Sequence, residues 1–231
     1  MRTATCFFFL LMLLSCRQSV NDPDLVAWWS FENATMTMVP DLSGHSLNAV
    51  NKGAIPVEGK IGMALQFDGT SVLQVDYQPI LDDFRNGITV MAWIKKDTAS
   101  HWNTIVSREI GNSWSEYMGL AIYKNQALFS IDQDGTNYKN VTDDKLIQPD
   151  VWYHLAGTFD TDTFKIYVNG KLIKTEFSKG HFRFSDKNPL LIGGNSNNQN
   201  KSLLDCFKGI LDEVRIYKRA LSLSEINKRM N

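Results

Sequence analysis

The chain has 231 residues, of which 43% are hydrophobic and 21% are charged, and its formal net charge is −1. This size and hydrophobic content suffice for the core of a single domain. The near-neutral charge, with no basic cluster, excludes the electrostatic footprint of a nucleic-acid-binding protein.

The first residues of the chain have the features of an export signal. Arg2 precedes an apolar run from Cys6 to Leu14. The run is too short to cross a bilayer as a stable helix, but it is typical of a secretory signal. Leu13-Leu14-Ser15-Cys16 resembles the lipobox of bacterial lipoproteins, which implies a signal peptide over residues 1–15, acylation of Cys16 and a tether over residues 16–24. The alternative is an ordinary signal peptide that happens to end at a cysteine.

The cysteine count agrees with export followed by lipidation. If Cys6 is removed with the signal and Cys16 is acylated, Cys206 is left alone and no intrachain disulfide is possible. Several acyl chains anchor a protein more firmly than one, because each buried methylene contributes about 0.8 kcal/mol. We therefore expect an exported protein, lipid-anchored in the cell envelope and facing either the periplasm or the cell surface.

From Leu25 onward, short apolar segments alternate with turn residues. Ile88–Lys96 is a nearly continuous apolar run, which predicts a strand buried on both faces. Asn169-Gly170 is a dipeptide that favours a type I′ hairpin turn. The predicted strands, in chain order, are Leu25–Glu32, Ala64–Gly69, Ser71–Asp76, Ile88–Lys96, Asn103–Glu109, Tyr117–Tyr123, Ala127–Asp132, Trp152–Phe159, Phe164–Val168, Lys171–Phe177, Pro189–Asn195 and Lys208–Lys218. Many short strands at even spacing indicate an antiparallel sandwich or jelly roll.

One helix signal lies near the end of the chain. Ser222 and Glu225 have the spacing of a capping box, which predicts a helix of two turns over residues 223–229. The predicted fold class is therefore all-β, an antiparallel two-sheet sandwich with a short C-terminal helix.

Six segments, taken in order, carry a resemblance to a known family. They read LVAWWSFE…DLSG, GMALQFDG, ITVMAWIK, VWYHLAGTFD…FKIYVNGKLI, LIGGN and FKGILDEVRIYKRALSLSEI. Together they resemble the laminin G-like, pentraxin-like domains of the concanavalin A-like lectin/glucanase superfamily. The resemblance implies one domain over residues 25–231, built of two stacked antiparallel sheets. It also implies functional loops at the rim or on the concave face.

Two adjacent carboxylates, Asp212 and Glu213, lie inside the last predicted strand. Strand alternation predicts that Asp212 shares one face with Val214 and Ile216, while Glu213 and Arg215 share the other and could pair. A bare carboxylate on an apolar face is expensive, so Asp212 needs a partner.

Three roles are open for Asp212. It can accept hydrogen bonds from backbone N–H groups of a neighbouring loop. It can bind calcium, because the family resemblance implies a structural calcium where the first loop meets the last strand, with Asp41 and Asp212 as the residues that carry over; carboxylates are ligands that calcium accepts. Catalysis is the third role, but glycoside hydrolysis needs two carboxyl groups facing one cleft. Active enzymes of this superfamily carry a Glu-x-Asp-x-x-Glu strand, which this sequence lacks, so we expect no catalytic residues.

Four aromatic residues, Trp102, Trp114, Tyr117 and Tyr138, occur in polar, turn-like sequence, and Asn195 lies in an Asn-rich segment. A sugar needs aromatic faces in water, flanked by amides and carboxylates. These residues are therefore candidate ligand contacts, unless the rings fold back onto the core. The leading hypothesis is a non-catalytic carbohydrate-binding module. The alternatives are a protein-interaction or adhesion domain of an envelope complex, and a polysaccharide hydrolase or lyase with an unfamiliar site.

Overall fold

The computed structural model describes residues 22–97, 101–109, 116–133, 136–141, 146–180, 187–197 and 202–230. The predicted signal peptide and the predicted lipidation site at Cys16 lie outside these residues, as does Trp114. Within them, no helix has the length and hydrophobicity that a bilayer crossing requires.

Short strands dominate the described residues. They are β1 (Leu25–Trp29), β2 (Met38–Val39), β3 (Ala49–Lys52), β4 (Ile55–Glu58), β5 (Met63–Asp68), β6 (Val72–Val75), β7 (Ile88–Lys96), β8 (Trp102–Glu109), β9 (Glu116–Tyr123), β10 (Gln126–Gln133), β11 (Thr136–Val141), β12 (Trp152–Phe159), β13 (Thr163–Val168), β14 (Lys171–Phe177), β15 (Leu190–Ile192), β16 (Asn195–Asn197), β17 (Ser202–Leu204) and β18 (Lys208–Tyr217). A 3₁₀ turn covers Pro79–Asp82, and helix α1 covers Leu223–Lys228.

Two antiparallel sheets form a sandwich. In the first sheet the strand order is β14-β13-β12-β7-β18-β5-β4, and β1 also pairs with β18. In the second sheet the order is β11-β10-β9-β8-β15-β6-β3-β2, while β16 and β17 pair with each other. This architecture confirms the predicted all-β sandwich with one short C-terminal helix.

The core lies between the inner faces of the two sheets. Alternate residues of β7, such as Ala92 and Ile94, meet Ile122 and Phe129 of the second sheet in one buried apolar cluster. The long apolar run of β7 was predicted to be buried on both faces, and the structure confirms this, because a second cluster covers its outer face. Close-packed burial of this kind is the main favourable contribution to folding.

Helix α1 covers the outer face of the first sheet. Its Ile226 packs there together with Trp28 and Tyr217. The capping box is confirmed, because the Ser222 hydroxyl accepts from the N–H of Glu225 and the Glu225 carboxylate accepts from the N–H of Ser222. The helix ends at Lys228, one residue before the predicted end.

Some strands lie where the sequence predicts them, and others were not predicted. The bounds of β7, β12 and β14 agree with prediction, and the other predicted strands differ from the observed ones by a few residues. The strands β2, β3, β4, β11, β16 and β17 were not predicted. Most of them are short, and several lie in polar sequence at sheet edges or in the small β16–β17 hairpin. Such strands form because they pair with a neighbouring strand, and they lack the apolar alternation by which a strand is predicted.

Candidate functional site

An aromatic pair stands at one end of the sandwich. Trp102, the first residue of β8, is the cross-strand partner of Tyr123, the last residue of β9. Their ring centroids are 4.4 Å apart and the rings are inclined by 36°. Because Ile122 packs in the core, strand alternation places its neighbour Tyr123, and with it Trp102, on the outer face. Both side chains are half-buried, so part of each ring faces solvent.

Polar and charged groups surround this pair. The ammonium group of Lys124 lies 5.1 Å from the centroid of the Tyr123 ring. The N–H of Lys124 donates to the carbonyl of His101 (2.8 Å), and the N–H of Ile147 donates to the carbonyl of Asn125 (2.7 Å). These bonds join residues 101–102, residues 123–126 and the loop over residues 146–151, and we call the three segments together the aromatic pole.

The turn within the aromatic pole is a two-residue type I′ hairpin turn. Lys124 and Asn125 connect β9 to β10, and their φ angles are 47° and 66°. Positive φ at both central residues defines this turn type, whose twist matches the flanking strands. Neither residue is a glycine; asparagine tolerates the left-handed region but lysine adopts it less readily, so contacts from outside the turn help to stabilise it.

The other predicted ligand contacts are distributed differently. Trp102, Tyr117 and Tyr138 lie in strands β8, β9 and β11, and of these three only Tyr117 was predicted to lie in a strand. Tyr138 is the cross-strand partner of Ile131. Asn195 begins β16, and its side-chain oxygen accepts from the N–H of Ser196 (3.0 Å). The structure pairs Trp102 with Tyr123, a residue that was not among the predicted ligand contacts.

The face that Asp212 occupies differs from the prediction. Asp212 pairs with Trp93 and Arg215 pairs with Met91, so three steps along β18 match two steps along β7. Glu213, with a φ of 52°, is the extra residue of this β-bulge. The prediction that Asp212 shares a face with Val214 and Ile216 was therefore wrong, whereas the predicted pairing of Glu213 with Arg215 is confirmed. Leu211, Val214 and Ile216 face the core, which leaves Asp212 on the opposite, outer side.

Hydrogen bonds from a loop hold one oxygen of Asp212. Its Oδ2 accepts from the N–H groups of Lys60 and Ile61, both at 2.9 Å. The hydrogen-bonded role considered for this residue is thus confirmed. Its Oδ1 is buried and accepts no hydrogen bond from the described residues. Burial, together with the nearby charge of Glu213, raises the pKa of the Asp212 carboxyl from 3.8 to about 7, although backbone N–H groups of Ile61, Lys60 and Glu213 act in the opposite direction.

Glu213 is held in an ion-pair cluster. Its carboxylate accepts from the indole N–H of Trp28 (2.8 Å) and pairs with the guanidinium of Arg215. The Arg215 guanidinium also lies 4.7 Å from the centre of the Trp28 ring. Asp212 and Glu213 are 0% and 2% exposed, so neither carboxylate can reach a substrate in this arrangement.

The second carboxylate considered for calcium, Asp41, is fully occupied by its own loop. Its Oδ1 accepts from the N–H groups of Trp28 and Ser43, and its Oδ2 accepts from the Ser43 hydroxyl and the N–H of Leu47, at 2.7–3.0 Å. The described residues contain no group of three or more His, Cys, Asp and Glu side chains placed to hold a metal. Of the two carboxylates, only Asp212 has an oxygen that fits a cation without losing a hydrogen bond.

His154 flanks the same outer face on β12. It is 1% exposed, and its ring lies 5.3 Å from that of Trp93, its cross-strand partner. Burial lowers the pKa of His154 to about 3, with a further contribution from the positive charge of Arg215. The imidazole is therefore neutral, as expected of a packed side chain.

Comparisons with known proteins agree with this fold. The binding domain of Paraclostridial Mosquitocidal Protein 1 is 20% identical, with a TM-score of 0.71, over 90% of this chain and 52% of that one. Domain 4 of AbnA, a GH43 extracellular arabinanase from Geobacillus stearothermophilus solved in complex with arabinotriose, is 21% identical, with a TM-score of 0.70, over 90% of this chain and 98% of that one. At these identities the likeness concerns the fold.

Sequence comparison identifies the family. Adhesion G-protein coupled receptor V1 of Danio rerio is 24% identical over 152 residues, which is 62% of this chain but 2% of the receptor. The chain thus spans a very small part of that curated relative. Residues 67–227 match Laminin_G_3, described as concanavalin A-like lectin/glucanases superfamily. Because this match covers well over half of the sequence, the chain belongs to the Laminin_G_3 family of the concanavalin A-like lectin/glucanases superfamily.

Proposed function

We propose that the chain is a non-catalytic carbohydrate-binding module whose ligand stacks on the aromatic pole. The observation that carries the proposal is the half-exposed pair of Trp102 and Tyr123. The apolar C–H face of a sugar ring packs against such rings, while neighbouring polar groups bond to its hydroxyls. The exposed His101 and Lys124 provide hydrogen-bond donors at the edge of the pair.

Related folds support carbohydrate as the ligand class. Domain 4 of AbnA was solved in complex with arabinotriose. Botulinum neurotoxin type C, whose structure matches 89% of this chain with a TM-score of 0.67 and 18% identity, depends on interaction with two ganglioside molecules for cell entry. Arabinotriose and gangliosides are ligands of AbnA and of the neurotoxin, respectively. For this chain they suggest which sugars to test first, because neutral and acidic glycans are both represented among the neighbours.

The positions of the two acids support a non-catalytic role. Glycoside hydrolysis needs two carboxyl groups facing one cleft. Asp212 and Glu213 are buried under other side chains and are committed to a loop and to an ion pair. A hydrolase or lyase activity would therefore need acids elsewhere on the surface.

We further propose that the module is exported and anchored through acylated Cys16. The position at which the chain enters the domain supports outward display of the aromatic pole. Leu25 pairs with Tyr217 at one end of β18, and Gly209 pairs with Lys96 at the other end. Thr89, the partner of Tyr217, and Lys96 are seven residues apart on β7, a distance of roughly 23 Å along the strand. The aromatic pole, next to Lys96, would thus point away from the membrane.

The test is a glycan array that includes arabino-oligosaccharides and sialylated glycans, followed by calorimetry. We expect the wild type to bind one class and Trp102→Ala to lose that binding while its melting temperature stays near the wild-type value. Phe177→Ala is the control, because Phe177 is an aromatic side chain that is 83% exposed on β14, away from the pair. Equal loss in both variants, or no binding by the wild type, would reject the proposal.

Protein interaction is the second candidate function, and one surface favours it. Met38 and Val50 are cross-strand partners at the edge of the second sheet and are 45% and 46% exposed, and Met36 nearby is 57% exposed. Exposed apolar groups of this kind can mark a protein contact when they form a continuous patch. If no glycan binds, capture of an envelope protein that is lost in Met38→Ser would support this candidate.

Calcium remains a proposal, and of Asp41 and Asp212 the free carboxylate oxygen of Asp212 supports it better. The ion would bind through Oδ1, which has no other partner among the described residues, and would supply the positive charge that the buried carboxylate lacks. The hydrogen bonds that Oδ2 accepts from the N–H groups of Lys60 and Ile61 would hold the carboxylate in place while Oδ1 binds the ion. A melting temperature that is the same in calcium and in EDTA at pH 8 would reject this proposal.

A further inference from the structure

A lysine is buried beneath the aromatic pole. Lys96 is the last residue of β7, and its alternation with Ile94 and Ala92 points its side chain between the sheets. The residue is 0% exposed, and it is among the largest fully buried side chains of the described chain. Lysine is almost never fully buried unless its charge has a partner.

The partner of this lysine is a neutral amide. The Lys96 ammonium donates to the side-chain oxygen of Asn125. No carboxylate forms a salt bridge with it among the described residues, and burial lowers the pKa of the amine. A buried cation with one neutral acceptor is an expensive arrangement, and an apolar side chain of similar length would fill the same space more cheaply. Global stability therefore does not account for a lysine at this position.

The contacts of Lys96 lead to all three segments of the aromatic pole. Its ammonium holds the side chain of Asn125 in the type I′ turn. Its carbonyl accepts from the N–H of Asp150 (2.9 Å), in the loop that also binds the carbonyl of Asn125 through Ile147. The residue before Asn125, Lys124, is bonded to the segment that contains Trp102. Lys96 is thus a buried residue that contacts the turn and the 146–151 loop directly, and through the turn it is connected to the segment that carries Trp102.

We propose that Lys96 is a positioning residue that preorganises the aromatic pole for its ligand. This inference rests on the proposed function of that pole. Because the amine is inaccessible to solvent, it acts through Asn125 and not by touching the ligand. It keeps a turn without glycine in its left-handed conformation, so that Tyr123 stands against Trp102 before a ligand arrives. Ordering these groups in advance removes a free-energy term that binding would otherwise have to overcome.

Lys96→Met is the primary test, with Lys95→Met as the matched control. Lys95 is the adjacent lysine, it is half-buried on the opposite face of β7, and it does not contact the turn. In Lys96→Met we expect an unchanged or higher melting temperature, because the buried cation is gone. Hydrogen exchange at the amides of Lys124 and Ile147 should become about ten-fold faster, and glycan affinity should fall by about ten-fold. The control should change none of the three.

A second variant keeps the inference testable if Lys96→Met folds poorly. Asn125→Ala removes the acceptor without introducing the glycine that a type I′ turn favours, and it lies at a half-exposed position. We expect the same faster exchange and weaker binding, and we expect the double variant to be no worse than either single variant. Additive losses, or a Lys96→Met variant with wild-type exchange and affinity, would overturn the inference. If the wild type binds no glycan, the proposed function fails, and the exchange data alone decide whether Lys96 holds the turn.

Discussion

The carboxylates of Asp212 and Glu213 lie on the same outer side of β18, although the two residues are adjacent in sequence. Glu213 is the extra residue of a β-bulge and adopts a φ of 52°. Its carboxylate binds the indole of Trp28, while the carboxylate of Asp212 binds the loop at Lys60 and Ile61. Both carboxyl groups are buried on the same side of the strand, but only Glu213 has a positively charged partner, the guanidinium of Arg215.

The first prediction concerns the pH dependence of stability at Asp212. The folded-state pKa is raised to about 7, so this group stabilises the fold below the unfolded pKa of about 4, and that contribution disappears as pH rises toward 7. Asp212→Asn cannot ionise, and in EDTA at pH 8 it should be more stable than the wild type, by at most about 4 kcal/mol. Urea unfolding between pH 4 and pH 8 measures this difference.

The difference between variant and wild type is the quantity to follow, because other groups titrate in the same range. The buried His154, whose pKa is lowered, loses stability as pH falls, which is the opposite sign. Asp150→Asn is a control on an exposed carboxylate. A constant difference between Asp212→Asn and the wild type across this range would contradict the raised pKa.

The second prediction concerns the buried pair of Glu213 and Arg215. Glu213→Gln keeps an acceptor for Trp28 but leaves the guanidinium, whose side chain is 10% exposed, without its counter-charge. Breaking a buried pair in this way is expected to cost about 3 kcal/mol of unfolding free energy. Arg85→Gln is the control, since the Asp83–Arg85 pair has an 82% exposed arginine and should contribute about 0–1 kcal/mol. Similar losses in the two variants would show that burial does not strengthen the dependence on Glu213.

The third prediction separates the ring of Tyr123 from its hydroxyl. Tyr123→Phe preserves the 4.4 Å contact with Trp102 and should keep glycan affinity within about two-fold of the wild type. Tyr123→Ala removes that support and should weaken binding by about ten-fold, because stacked aromatic pairs contribute roughly 1 kcal/mol beyond their buried area. Calorimetry with the glycan selected on the array measures both. If Tyr123→Phe and Tyr123→Ala bind the glycan equally well, the Tyr123 ring does not contribute to glycan binding.

The fourth prediction concerns the membrane anchor. In a bacterial host, Cys16→Ser should block acylation and move the protein from the membrane fraction to a soluble or unprocessed form, because the thiol and the amino group of Cys16 are the proposed attachment points. Incorporation of a labelled fatty acid, together with fractionation, measures this change. Cys206→Ser is the control, and it should leave labelling unchanged. Labelling that persists in Cys16→Ser would contradict the lipobox interpretation.

The strand pattern and the capping box were predictable because they are local. The bounds of β12 and the Ser222–Glu225 cap follow from apolar periodicity and from residues three positions apart. The face of Asp212 was not predictable from alternation. One residue inserted at Glu213 reverses the alternation of everything that follows, and no local sequence signal marked that bulge.

The partner of Trp102 was also beyond the sequence. Its indole and the Tyr123 ring meet because β8 and β9 pair in one particular register, and register depends on contacts between distant segments. The same holds for Lys96. In the sequence it is the charged last residue of an apolar strand, whereas in the structure it donates to Asn125 in a turn of the other sheet.

The sequence by itself determined the layered architecture of this protein, because the alternation of apolar residues and the spacing of turns require two sheets that bury one face each. It also determined the terminal helix, through a cap that spans four residues. Only the tertiary structure decided which acids are buried, which aromatic rings stand together and which lysine lies beneath them. Those relationships depend on strand register, on one bulge and on side chains from opposite sheets, and none of these is encoded by a local pattern.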